Sequence, residues 1–169
     1  MKHYLLLSSL VPLSMAYPSL EILENGRPKT VYIVNDSWYN PGGGKEVNMP
    51  HGGRSYLTTS DAFGPDNYYS PSVNGGSWEW DIDLHESGCS CNAALYLVMM
   101  PGRKADGSLD PGRDGHYYCD TNAISGVFCP DFDMFEGNTW AMHSTSDKCD
   151  APNEHGHYAH CDTGGHYCT

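Results

Sequence analysis

The chain has 169 residues, a net charge of -12 at pH 7 and seven cysteines. This length fits one domain with a sizeable core, and the negative charge repels phosphate groups, so we expect no nucleic-acid partner. The apolar run at the N-terminus is too short to span a bilayer, and no later segment approaches the roughly 20 apolar residues of a membrane-spanning helix, so we expect no membrane association.

The first segment in chain order is a predicted secretion signal. A basic start precedes an apolar run over residues 4–13, and Ser14-Met15-Ala16 provides the small residues that suit signal peptidase. We therefore expect residues 1–16 to be removed. Residues 17–169 are expected to form a single domain of a secreted, extracellular and monomeric protein.

The rest of the sequence predicts an all-β protein, because Gly, Pro, Asn and Asp recur at short intervals and no helical period persists. Strands are expected at residues 30–34, 78–84, 93–100 and 129–135. In the second of these, Trp78 and Trp80 alternate with acids, which predicts a half-buried strand with both indoles in the core. The nearly continuous apolar run 93–100 predicts a strand covered on both faces, and a buried helix also fits.

Aromatic residues in the N-terminal part are candidates for a sugar-binding surface. Trp38 and Tyr39 precede the turn Asn40-Pro41-Gly42, which would hold their rings at the surface. The alternative is that they fill the core. Asn35-Asp36-Ser37 in the same region is an N-glycosylation acceptor.

An acidic motif, CPDFDMFEGN at residues 129–138, is the most informative segment. It places Asp131, Asp133 and Glu136 at positions i, i+2 and i+5. In a regular strand the first two share a face, and Glu136 points to the other. A β-bulge at Met134 or Phe135 would bring Glu136 back to their side.

Three acids on one face suit the hydrolysis of a sugar linkage. One carboxylate attacks the sugar or activates water, while a second, protonated carboxyl donates to the leaving oxygen. A third acid between them raises the pKa of its neighbours by repulsion. A solvated acidic strand edge or a calcium site is the alternative interpretation of the same spacing.

Residues 77–169 resemble the glycoside hydrolase family 7 cellulases. Besides the acidic motif, the resemblance rests on WEWDIDLHESGCSCNAALYLVMM at residues 78–100, on Tyr118-Cys119-Asp120, and on the positions of Cys149 and Cys161. It implies a concanavalin-like β-jelly-roll sandwich, here partial or truncated, without a cofactor. Because the family continues well beyond the matched portion, we expect either a shortened relative or a fragment.

The resemblance also implies roles for the acidic residues. Glu136 takes the position of the general acid/base, Asp133 that of the supporting acid, and Asp131 that of the nucleophile, where the family has glutamate. The shorter Asp131 withdraws the attacking oxygen by roughly 1 to 1.5 Å. This moves the pair of carboxyls toward the longer separation that admits a water molecule.

Further residues are implied to contact the substrate, a β-1,4-glucan polysaccharide or oligosaccharide. Asn138 completes the motif, and Asp147 stands where the family has a substrate-binding histidine. His143 is a candidate replacement for that histidine, and a plain surface histidine is the alternative. The alternative function is a catalytically impaired β-glucan-binding module or a secreted decoy.

By the same resemblance, Cys119 pairs with Cys129 and Cys149 with Cys161, which would brace both sides of the acidic strand. Cys89 or Cys91 would then pair with Cys168. Because seven is an odd number, one cysteine is left over, and it is a free thiol, forms an intermolecular bridge, or has lost its partner because the gene product is incomplete.

The C-terminal histidines are the remaining candidate site. A transition metal could bind imidazoles in this segment, which contains His155, His157, His160 and His166. No acidic or thiolate ligand at a recognisable spacing completes the set, so we expect no metal.

Overall fold

The computed structural model describes residues 17–35 and 39–162. Over these ranges the regular elements are β-strands, and no helix long and apolar enough to cross a membrane is present. The expected all-β class is confirmed, and the antiparallel sheets and two disulfides are consistent with a partial β-sandwich. The predicted signal segment, the glycosylation acceptor beyond Asn35, Trp38, His166 and Cys168 lie outside the described residues.

The chain divides into two compact units, residues 1–63 and residues 64–169. In the first unit, strands β1 (Ser19–Glu24) and β2 (Arg27–Asn35) form an antiparallel hairpin. The short strands β3 (Gly42–Gly43) and β4 (Glu46–Val47) form a pair of their own, and β5 (Ser55–Thr58) pairs with β2. The strand expected at residues 30–34 is confirmed as part of β2. That residues 17–169 form a single domain stays a prediction.

The first hairpin turns at Asn25 and Gly26, which have φ angles of 53° and 73°. Two consecutive left-handed residues match the twist of a two-residue hairpin, and Asn-Gly is the pair that adopts them most readily. The core of this unit is formed by the fully buried Val31, Ile33 and Val34 of β2. Their branched side chains also favour the extended backbone of the strand.

The second unit contains a three-stranded antiparallel sheet. Strand β7 (Asp131–Gly137) lies at the centre, between β6 (Ala93–Val98) and β8 (Met142–Asp147). The strands expected at residues 93–100 and 129–135 are confirmed with shifted ends. The expectation that the first is covered on both faces is wrong, because β6 is half-buried and the described part of this unit holds no second sheet to cover it.

A disulfide lies in the core of the second unit. Cys119 and Cys129 are bonded and buried together with Val127, and Val98 and Met100 pack against this cluster. The second disulfide joins Cys149 to Cys161. Both pairs are those that the resemblance implies. Cys89 and Cys91 form no disulfide with a described residue.

The strand expected at residues 78–84 is wrong. The segment has no regular secondary structure, and Trp78 and Trp80 are each 37% exposed, so the prediction of a core position for them is also wrong. Alternation selects two faces, but a strand also needs backbone partners, and no described strand bonds to this segment. The two indoles line an open depression with Leu97 and Phe132.

Candidate active site

Strand β7 contains the predicted bulge. On the β6 side, Leu95 lies opposite Phe135 and Tyr96 lies opposite Asp133, so Met134 is an additional residue without a partner. The pairing with β8 shifts at the same place, between Asp133 and Glu136. The expectation of a bulge at Met134 or Phe135 is confirmed.

The bulge places the three motif acids on one face of the sheet. Asp131 lies opposite Asp147, Asp133 opposite Thr145, and Glu136 opposite His143. Directly opposed residues share a face, and alternate residues of β8 share one too. We name this surface the acidic face; it consists of Asp131, Asp133, Glu136, His143 and Asp147.

Asp131 is held by a neighbouring loop. The Thr121 hydroxyl donates to its Oδ1 over 3.2 Å, and the Thr121 backbone N–H donates to its Oδ2 over 3.4 Å. Burial nevertheless raises the pKa of Asp131 to about 6, with smaller contributions from the charges of Asp147 and Asp120. The two hydrogen bonds act in the opposite direction, because they favour the ionised form.

Asp133 lies between the other two acids of the motif. The pKa of Asp133 is raised to about 7, first by burial and then by repulsion from the charges of Glu136 and Asp131. Its backbone carbonyl accepts a hydrogen bond from the Ser144 hydroxyl over 2.7 Å, which fixes the strand and not the carboxyl. Asp133 is therefore a carboxyl that can hold a proton close to neutral pH.

Glu136 makes different contacts. Its Oε2 lies 2.9 Å from Nε2 of His143, and its Oε1 accepts a hydrogen bond of 2.9 Å from the side-chain amide of Asn92. The Glu136 side chain is 25% exposed and the His143 side chain 46%, so both groups can reach solvent. Glu136 is thus oriented at both of its oxygens.

Asn92 and Thr121 are site residues that sequence analysis did not identify. Asn92 directly precedes β6, and Ala94 of that strand lies opposite Glu136, which explains how a residue 44 positions away reaches the carboxyl. Thr121 follows the Tyr118-Cys119-Asp120 step of the resemblance. The position of Thr121 beside that segment could have indicated a residue near the site, whereas no local pattern marks Asn92.

The side chain of Asn138 shapes the connection between β7 and β8. Its Oδ1 accepts bonds from the backbone N–H groups of Trp140 and Ala141, and its Nδ2 donates to the carbonyl of Cys91. A contact between Asn138 and substrate stays a prediction. So does a contact for Asp147, which lies at the end of the acidic face beside Asp131.

Tyr39 lies in the first unit. Its hydroxyl donates to the carbonyl of Arg54 over 2.7 Å and lies 2.7 Å from the hydroxyl of Ser55. These bonds fix the ring against the loop before β5. Its predicted role as a sugar platform, like that of Trp38, stays a prediction.

The C-terminal histidines do not form a metal site within residues 17–35 and 39–162. No group of three or more His, Cys, Asp or Glu side chains in these ranges is arranged to hold an ion. Nδ1 of His157 lies 2.8 Å from the carbonyl of Arg103, so this imidazole is engaged by the backbone.

Comparison with known proteins gives a partial match. No protein-family model matches the chain, and no solved structure matches it. The chain is 26% identical over 101 residues to endoglucanase type C of Fusarium oxysporum, an alignment that covers 50% of this chain and 24% of that protein. The chain therefore spans about a quarter of the length of the curated relative it matches. This similarity is consistent with a distant relationship to the glycoside hydrolases.

Proposed function

We propose that the protein is a secreted glycoside hydrolase that cleaves β-1,4-glucan on its acidic face. The observation that carries the proposal is the bulge at Met134, which brings Asp131, Asp133 and Glu136 to the same side of β7. Two carboxyl groups facing one sugar linkage are what this hydrolysis requires. The similarity to a fungal endoglucanase supports a polysaccharide substrate.

In the proposed reaction, the bond between the anomeric carbon and the glycosidic oxygen breaks. Glu136 gives a proton to the leaving oxygen, and the oxygen of a water molecule forms the new bond to the anomeric carbon. Asp131 accepts the proton that this water releases, because its shorter side chain leaves room for the water. Asp133 tunes both neighbours through its charge. One water molecule is consumed, and each product gains a hydroxyl group.

A β-glucan-binding protein without catalytic activity is the second candidate. The observation in its favour is Asp131, whose carboxyl accepts two hydrogen bonds from Thr121 and is thereby directed toward a loop of its own chain. These two bonds favour the ionised form and so make the carboxylate a weaker base than the same buried group would be without them. Under this alternative the acidic face binds glucan and releases no sugar.

Reducing-end release from soluble β-1,4-glucan oligosaccharides tests the proposal. We expect the wild-type protein to release reducing ends and Glu136→Gln to lose at least about 100-fold of that rate, since general acid catalysis contributes roughly 10²- to 10⁴-fold. Asp131→Glu should lower the rate, because the longer side chain takes up the room of the attacking water. His85→Gln, an exposed histidine paired with Asp83, is the control and should match the wild type.

Two outcomes contradict the proposal. If no version releases sugar while the wild type binds glucan, the protein has the second function. If Glu136→Gln hydrolyses as fast as the wild type, the reaction does not use the acidic face.

A further inference from the structure

Glu136 and His143 form a contact that depends on the bulge. Without the additional residue Met134, Glu136 would point to the other face, and His143 would have no carboxyl opposite it. With it, Nε2 of His143 lies 2.9 Å from Oε2 of Glu136, while Asn92 holds Oε1. An imidazole therefore contacts one oxygen of the carboxyl that the proposed function uses as the proton donor.

A contact of this length requires a proton between the two atoms, because both the imidazole nitrogen and the carboxyl oxygen otherwise present lone pairs. The proton is carried either by Nε2 of the imidazole or by Oε2 of a protonated carboxyl.

We propose that Glu136 and His143 share one proton across this contact and that the leaving oxygen receives its proton from the pair. The inference rests on the proposed function. On donation the bond from the shared proton to Oε2 breaks and its bond to the leaving oxygen forms, which leaves a carboxylate beside a neutral imidazole that keeps its other proton on Nδ1. Solvent returns the proton through the imidazole, which is 46% exposed. His143 is thus a positioning residue and a proton reserve.

The pair lies among other titratable groups. Strand β7 contributes Asp131 and Asp133, and β8 contributes Asp147. On the β6 side the titratable group is the hydroxyl of Tyr96, opposite Asp133, and Asp120 lies beside Asp131.

Asp133 is the competing source of the proton, since its pKa of about 7 keeps it partly protonated near neutral pH. Removal of His143 would shift the pH at which the rate is lost in opposite directions for the two sources. The charge of His143 lowers the pKa of Asp133, so a rate that depends on Asp133 would persist to higher pH without it. A rate that depends on the pair would be lost at lower pH.

The experiment compares kcat/KM from pH 4 to pH 9 for the wild type and His143→Gln. Glutamine can still donate a hydrogen bond to Oε2 but holds no titratable proton. We expect the alkaline limb of the profile to move to lower pH by about 1 to 2 units, because a glutamic carboxyl ordinarily releases its proton about 2 units below an imidazole. His85→Gln should leave the limb in place. An alkaline limb that stays or moves to higher pH in His143→Gln overturns the proposal.

A second measurement does not depend on activity. ¹⁵N NMR of the histidine side chains reports which ring nitrogen carries the proton, and the Nε2 signal of His143 should change in Glu136→Gln but not in Asp106→Asn, an exposed control on another loop. An unchanged signal overturns the shared proton, whether or not glucan is hydrolysed. A wild-type protein that shows the coupled signal without releasing sugar overturns the proposed function and, with it, the route of the proton to the leaving oxygen.

Discussion

At the scale of single residues, the acidic face contains two carboxyls that burial makes hard to ionise. The pKa of Asp131 is raised to about 6 and that of Asp133 to about 7, mainly because both lose water contact in the folded protein. In the unfolded chain each would titrate near its ordinary value of about 4. Between these limits the folded protein binds more protons than the unfolded chain.

The first prediction concerns stability against pH. Since the folded-state pKa values are raised, the stability associated with these groups is present at about pH 4 and is lost as the pH rises to about 7. Asp133→Asn should make the loss of unfolding free energy between these pH values smaller by about 1 to 2 kcal/mol, a figure reduced to allow for the partial exposure of Asp133. Urea unfolding at pH 4.5 and pH 7.5 measures it. Asp106→Asn, at an exposed position whose pKa is lowered by bonds from Ser108, should keep the wild-type loss of stability above pH 4.5. A wild type that gains stability between the two pH values would contradict the prediction.

The sequence identifies these acids but not their contacts. The spacing of Asp131, Asp133 and Glu136 is visible in ten consecutive letters. The hydrogen bond from Asn92 to Glu136 is not visible in the sequence, because it joins positions that only strand pairing brings together. Residues that orient a site from another strand leave no local pattern.

At the scale of elements, the connection between β7 and β8 determines whether Glu136 meets His143. Gly137 is the last residue of β7, and a Cβ placed there would lie 2.5 Å from the carbonyl oxygen of Ala141 and 2.9 Å from Cα of Met142. Both obstacles are backbone atoms. The connection therefore requires a residue without a side chain at this position.

The second prediction follows from this close approach. Gly137→Ala should lower the free energy of unfolding by about 1 to 3 kcal/mol, the usual cost of overpacking a tight site. Chemical denaturation measures the change. Gly88→Ala is the matched control, because a Cβ at Gly88 meets no atom within 4 Å and the residue has no left-handed backbone. Equal stabilities of the two variants would mean that the strands separate to admit the side chain without cost.

The strand predictions were correct for some segments and wrong for others, and the difference lies in what a local pattern can report. In β7, the three acids can share one face only if the strand contains a bulge, and the bulge is present. The segment from Trp78 to Leu84 alternates strictly between apolar and acidic residues, yet it pairs with no described strand. Hydrogen-bond partners are supplied by other parts of a sheet, and alternation cannot report them. Strand β1 is the opposite case: it was not predicted, although the Asn25-Gly26 turn that follows it is a strong hairpin signal.

At the scale of the whole molecule, the pattern of turn residues predicted the all-β class, and the resemblance to the glycoside hydrolase family 7 cellulases implied both disulfides in the described ranges. The core of the second unit is small and is centred on Cys119, Cys129 and Val127. A small apolar cluster leaves a domain dependent on covalent links.

The third prediction is that this unit loses much of its stability without the central disulfide. The bond joins residues 10 positions apart, and closing such a loop restricts the unfolded chain by about 3 kcal/mol. Cys119→Ala together with Cys129→Ala should lower the free energy of unfolding by about that amount in urea. Cys89→Ala, at an exposed cysteine that bonds to no described residue, is the control. If the double variant unfolds at the same urea concentration as the control, packing alone maintains the unit.

The three-stranded sheet of the second unit has a consequence for handling the protein. The outer sides of β6 and β8 meet no strand in the described ranges, so their backbone groups can template pairing with a second molecule. Like charge keeps such molecules apart, and this chain carries a net charge of -12 at pH 7. The repulsion disappears near the isoelectric point of about 4.9. Acidic buffers will therefore favour aggregation, and turbidity must be recorded beside every rate measured there.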